Sequence, residues 1–159
     1  MLMLYAGYPG ALEALRVLNA GWPGRARRRR EGTSREWLAR GKALCRRVYG
    51  AKYDVLVSAV QALHPDLAVW MLEQGYGRVL SRPGLSAKER ELITVAALAA
   101  LGRERQLVSH VLGALRVGAG ALATHAALLE GARFADASGR AVARRTWQRA
   151  TRTGRTAAS

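Results

Sequence analysis

The chain has 159 residues and a formal net charge of +15, with 50% apolar and 23% charged residues; this is too apolar for wholesale disorder and long enough for one domain, not two. Ala and Leu supply 52 residues against one Ile and 12 Val, which excludes a sheet-dominated expectation in favour of helices. The longest uncharged stretch, residues 117–129, has 13 residues and includes Gly and His, short of a membrane span. With a single cysteine, Cys45, no intrachain disulfide is expected. Residues 1–12 lack the basic start of a secretory signal, so a reducing, cytoplasmic setting is the expectation.

The charge is uneven. Residues 1–52 carry +9, residues 53–132 carry 0 and residues 133–159 carry +6. The excess lies in Arg25, Arg27, Arg28, Arg29 and Arg30 and in Arg140, Arg144, Arg145, Arg149, Arg152 and Arg155. These runs can meet phosphates non-specifically, but they lack interleaved aromatics or a helix-turn-helix pattern. Solvated arginines are the plainer reading, and a basic nucleic-acid binder is the least favoured function class.

In chain order, residues 10–19 place Ala11, Leu12, Leu15 and Leu18 at helical spacing, with Gly21 as a stop. Residues 24–34 have no period and read as a linker. A second helix is expected from Ser34, as N-cap, to Tyr49, carrying Trp37, Leu38, Leu44 and Val48 on one side and ending at Gly50. Tyr53 to Leu63 fits a helical stripe, and His64-Pro65-Asp66 breaks it. After a further helical piece from Leu67 to Glu73, the residues Gly75, Gly77, Pro83 and Gly84 predict a loop carrying Tyr76, Arg78 and Arg82.

Ser86-Ala-Lys-Glu89 is a capping-box pattern opening the best-defined helix, with Leu92, Val95, Ala96 and Ala99 on its apolar face and Gly102 closing it. The next helix, Glu104 to Val117, has the stripe Leu107, Val111, Ala114 and Leu115, with His110 among them. A last helix, Ala121 to Phe134, completes an antiparallel set. The short turn at Gly102 allows Glu91 of one helix to meet His110 of the next, and a carboxylate on an imidazole fixes the tautomer that acid–base chemistry needs. The alternative is a satisfied core histidine. His64 and His125 have no comparable partner in the sequence pattern.

The segments Ala-Leu-Cys-Arg-Arg-Val-Tyr-Gly at 43–50, Gly-Tyr-Gly-Arg-Val-Leu-Ser-Arg-Pro-Gly-Leu at 75–85, Glu-Arg-Glu-Leu-Ile-Thr-Val-Ala-Ala-Leu at 89–98 and His-Val-Leu-Gly-Ala-Leu at 110–115 carry a resemblance. Over residues 41–129 the chain resembles the carboxymuconolactone decarboxylase family, which includes alkylhydroperoxidase-like proteins. The resemblance implies an all-α fold, an antiparallel helical bundle of that type. It also implies a homo-oligomer, commonly a hexamer in the family. Peroxidase members resemble a pattern of glutamate, Cys-x-x-Cys, then histidine; here Glu91 and His110 match, while Arg103 and Gln106 stand at the cysteine positions. Cys45 lies elsewhere, so a dithiol cycle has neither of its thiols in place.

What the resemblance implies instead is decarboxylation of a small anionic lactone, with no cofactor and no metal. On that reading His110 is the general acid, Glu91 orients it, Arg82 or Arg78 binds a carboxylate, and Tyr76 lines the pocket. For the arginines and Tyr76 a solvated or capping role is the alternative. A non-catalytic binding or scaffold protein of the same fold is the alternative for the whole chain.

The ends depart from the family pattern. A segment resembling Tyr-Ala-Gly-Tyr-Pro and its helix follows the histidine in the family but occupies residues 4–16 here. The expected organisation is therefore an N-terminal helix at 1–24 that stands in for the family's C-terminal helix, a basic linker at 25–40, a core at 41–135, and a partly disordered basic tail at 136–159.

Overall fold

The computed structural model describes residues 1–22, 24 and 32–156, and among them there are helices and turns but no strand. The helices are α1 (Met3–Gly21), α2 (Ser34–Tyr49), a 3-10 turn (Gly50–Lys52), α3 (Tyr53–Leu63), α4 (Pro65–Trp70), a π-helix (Met71–Leu80), α5 (Ala87–Ala100), α6 (Glu104–Arg116), α7 (Ala121–Ala132) and α8 (Ala137–Thr156). No helix among the described residues is long and apolar enough to cross a membrane.

Local chemistry explains most boundaries. Thr33 caps α2: its side chain accepts from the Glu36 backbone N–H while Glu36 accepts from the Thr33 N–H, so the N-cap is Thr33 and not Ser34. The expected linker at 25–40 therefore gives way to helix from Ser34 onward, while its arginines at 25–30 lie outside the described residues. Pro65 occupies the first turn of α4, and His64 caps it by accepting from the Asp66 N–H at 3.2 Å. Ser86 and Glu89 form the capping box of α5. Gly102, at φ 63°, lets the chain leave α5 through bonds from Gly102 N–H to Ala99 O and Arg103 N–H to Leu98 O, the paired closure of a Schellman turn. α1 starts at Met3, earlier than the periodicity suggests, because Gly7 (φ 68°) absorbs a kink beside Pro9.

Two expectations are corrected. The glycines at 75 and 77 do not open a loop: helix continues to Leu80, so Tyr76 and Arg78 are helical and Arg82 follows in the turn. Gly77 is there for close approach. A β-carbon on it would lie 2.0 Å from the Trp37 carbonyl oxygen, and one on Gly41 would lie 1.8 Å from that of Leu72, so α2 and the π-helix touch backbone to backbone. The segment expected as a partly disordered tail forms α8 instead. Asp136 accepts from the Gly139 N–H at 2.7 Å at its start, and Ala143, Thr146 and Ala150 are buried.

Buried side chains form two clusters. One joins α5, α6, α7 and α8 through Val95, Leu98, Leu107, Val111, Leu128 and Ala143; the other joins α2 to the π-helix through Cys45, Val48, Leu72, Tyr76 and Leu80. Gly131 brings α7 onto the Ala96 backbone of α5, and His125 of α7 stacks on Trp147 of α8 at 4.4 Å between ring centroids. The unattached histidines of the sequence thus have structural roles, one as a cap and one as a stacking partner.

Candidate functional site

Glu91 lies on the second turn of α5 and His110 at the middle of α6, and the two helices pack together across the Gly102 turn. His110 Nδ1 and Glu91 Oε2 are 2.8 Å apart, and the residues are 5% and 2% exposed. With Nδ1 engaged by the Glu91 carboxyl, Nε2 is the ring nitrogen left to exchange a proton with a ligand. A β-carbon on Gly113, one helical turn after His110, would stand 2.6 Å from Val48 Cγ1 and 2.9 Å from the same Glu91 oxygen.

Aromatic rings enclose the pair from both clusters. Tyr5 of α1 meets the His110 ring edge-on at 6.3 Å, and Tyr49 of α2 does so at 6.1 Å. The Tyr5 hydroxyl and Thr94 Oγ1 are hydrogen-bonded at 2.9 Å, which ties the N-terminal helix to α5 one turn after Glu91. Tyr76 stands behind Tyr49, edge-on at 6.2 Å. Burial raises the hydroxyl pKa of Tyr5, Tyr49 and Tyr76, so all three are neutral donors near neutrality. Burial, then the Glu91 charge, push the Cys45 thiol up to about 12. That thiol is 0% exposed, the opposite of a reactive cysteine's surroundings.

The two predicted arginines part company. Arg78 extends over the Trp37 ring, 4.9 Å from its centroid. Arg82 is exposed in the turn before α5 and lines two open clefts, one against α2 and one against α1, with Arg90 common to both. No hydrogen bond or ion pair links Arg82 to Glu91 or His110. Sequence reasoning missed Tyr5, Tyr49 and Thr94 as neighbours of the pair, and it missed the burial of Arg90. Thr94 could have been found three residues after Glu91, on the same helical face. Tyr5 could not, because its contact spans 89 residues of chain. Among the described residues no group of three or more His, Cys, Asp or Glu side chains is placed to hold a metal ion.

Comparison with curated proteins finds no match. The family model described as the carboxymuconolactone decarboxylase family matches residues 65–150, from the start of α4 into α8 and over more than half of the sequence. The matched segment holds both members of the buried pair, and the chain belongs to the carboxymuconolactone decarboxylase family.

Proposed function

We propose that this chain is a cofactor-free decarboxylase, or a related lactone-processing enzyme, in which the Glu91–His110 pair moves the proton, and that it is not a dithiol peroxidase. The observation that carries the reading is the 2.8 Å contact between two buried groups on adjacent helices. In the reaction the bond between carbon and the substrate carboxylate breaks and carbon dioxide leaves. The electron pair moves into the conjugated lactone, and the imidazolium form of His110, its Nδ1–H held by Glu91, gives the Nε2 proton to the new C–H bond and regains one from solvent, so protons and charge balance without an oxidant or reductant. Glu91 holds the ring by Nδ1. Arg82 is the carboxylate anchor in preference to Arg78, whose guanidinium already covers Trp37. Tyr76 lines the site through Tyr49.

On the same reading the chain assembles with copies of itself. Leu12, Leu15 and Leu18 are exposed along α1 and Trp22 just after it, an apolar surface that suits a subunit contact. Light scattering should then give a mass well above 17.2 kDa; a monomer at micromolar concentration contradicts this part.

A second reading has its own support. Two open clefts lie at Arg82 and Arg90, and neither is lined by Glu91 or His110, as a binding protein that has kept the fold without the chemistry would have it. Purified protein supplied with 4-carboxymuconolactone separates the two. Carbon dioxide release that saturates with substrate, with KM raised in Arg82→Met, supports the enzyme; no release supports the binding protein.

A further inference from the structure

We infer that the cleft between α2 and the turn preceding α5 is a binding site for a small carboxylate ligand with a short carbon skeleton, with the buried Arg90 as its fixed charge. The inference shares Arg82 with the decarboxylase reading, where that residue anchors the substrate carboxylate, but it uses neither Glu91 nor His110.

Arg90 is 6% exposed, which is unusual for an arginine without an acidic partner. Its Nε donates to Leu85 O at 3.2 Å, Nη1 donates to Met1 Sδ at 3.3 Å and Nη2 donates to Arg82 O. A guanidinium has five N–H donors, so two remain. No carboxylate among the described residues forms an ion pair with it. The adjacent Glu89 turns its carboxylate to Ser86, where it accepts from the backbone N–H and the hydroxyl. A buried charge neutralised only by carbonyls and a thioether is costly, and an anion in the cleft supplies what the chain does not. Burial first, then the Arg82 charge, lower the Arg90 pKa, with the Glu89 charge opposing them.

The surroundings fit the same ligand. The cleft has a volume of about 270 Å³, and its charged walls are Arg40, Arg47, Arg82 and Arg90, with no acidic residue. Leu44 and Leu80 are among the apolar residues beneath them, which offers a surface for carbon as well as forks for oxygen. The volume limits the ligand to a small molecule.

Calorimetric titration of the full chain with citrate at constant ionic strength tests this. One saturable site per chain is expected. Affinity should fall at least tenfold in Arg40→Ala/Arg47→Ala, where both residues are exposed and the fold is retained. It should change less than twofold in Arg144→Ala/Arg145→Ala, which removes the same charge from α8. His110→Ala should bind citrate as the parent does, whether or not the parent releases carbon dioxide. Absence of saturable binding, or equal loss in the two double variants, overturns the inference by reducing it to diffuse attraction.

Discussion

Alanine at Gly77 and alanine at Gly75 should move stability in opposite directions, although the two positions are two residues apart in one helix. A β-carbon at Gly77 would lie 2.0 Å from the Trp37 carbonyl oxygen and 2.5 Å from its carbon, whereas one at Gly75 meets nothing within 4 Å. Relief at Gly77 requires α2 and the π-helix to move apart by more than an ångström, because both clashing atoms are backbone. Overpacking that side chains can absorb costs about 1–3 kcal/mol, so Gly77→Ala is expected to cost about 3 kcal/mol or more. Gly75→Ala removes backbone freedom from the unfolded chain and should stabilise by about 0.5–1 kcal/mol. For a chain of this size those values correspond to a Tm fall of roughly 6–12 °C and a rise of roughly 1–4 °C. Urea unfolding followed by circular dichroism reads both. A Gly77→Ala protein as stable as the parent would refute the close approach, and with it the placement of Tyr76 behind Tyr49.

Three further outcomes follow from buried groups. The Thr146 hydroxyl is buried without a hydrogen-bond partner among the described residues, so Thr146→Val should raise stability by about 1 kcal/mol in urea unfolding; a loss of that size would mean the hydroxyl has a partner after all. Cys45 should resist a thiol reagent at pH 8 in the folded protein and react once in urea, whereas rapid labelling of the native chain would contradict its burial. Stability should also fall in alkali. Between the ordinary thiol value and about 12, the unfolded chain gives up the Cys45 proton while the folded chain keeps it, so stability declines as pH rises above about 9, by about 1.4 kcal/mol per pH unit. Tyr5, Tyr49 and Tyr76 add the same sign from about pH 10. In Cys45→Ala the onset should move up by about one unit, read against that variant's own plateau; an unchanged onset would remove the thiol from the account.

The helices that hold the pair were readable because their signals are local. A capping box at Ser86 and a glycine at 102 fix the ends of α5, and the stripe through Leu107 and Val111 fixes the buried face of α6. Once those ends are known, the meeting of Glu91 with His110 is a matter of register. Gly77 misled for a physical reason: glycine serves both turns and close helix contacts, and only the partner backbone at Trp37 distinguishes the two; Gly75, which meets nothing within 4 Å, has no such contact to explain it. The tail misled because six arginines are spread through it and its apolar residues are alanines apart from Val142 and Trp147. The inward positions of α8 are small, Ala143, Thr146 and Ala150, and burial of small residues leaves little hydrophobic signal in a sequence. Tyr5 and the counterion-free Arg90 were beyond local reading, since each acquires its meaning from elements far away in the chain.

If the buried pair moves the proton, removing either member slows turnover. The measurement that addresses it most directly is the turnover number for carbon dioxide release in His110→Ala and Glu91→Gln, each shown by circular dichroism to be folded as the parent. Loss of a positioned acid lowers rate by about 10²–10⁴, and the account predicts a fall in that range for His110→Ala and a smaller fall for Glu91→Gln, which keeps the shape but not the charge that holds the ring. Turnover in His110→Ala equal to that of the parent would contradict it.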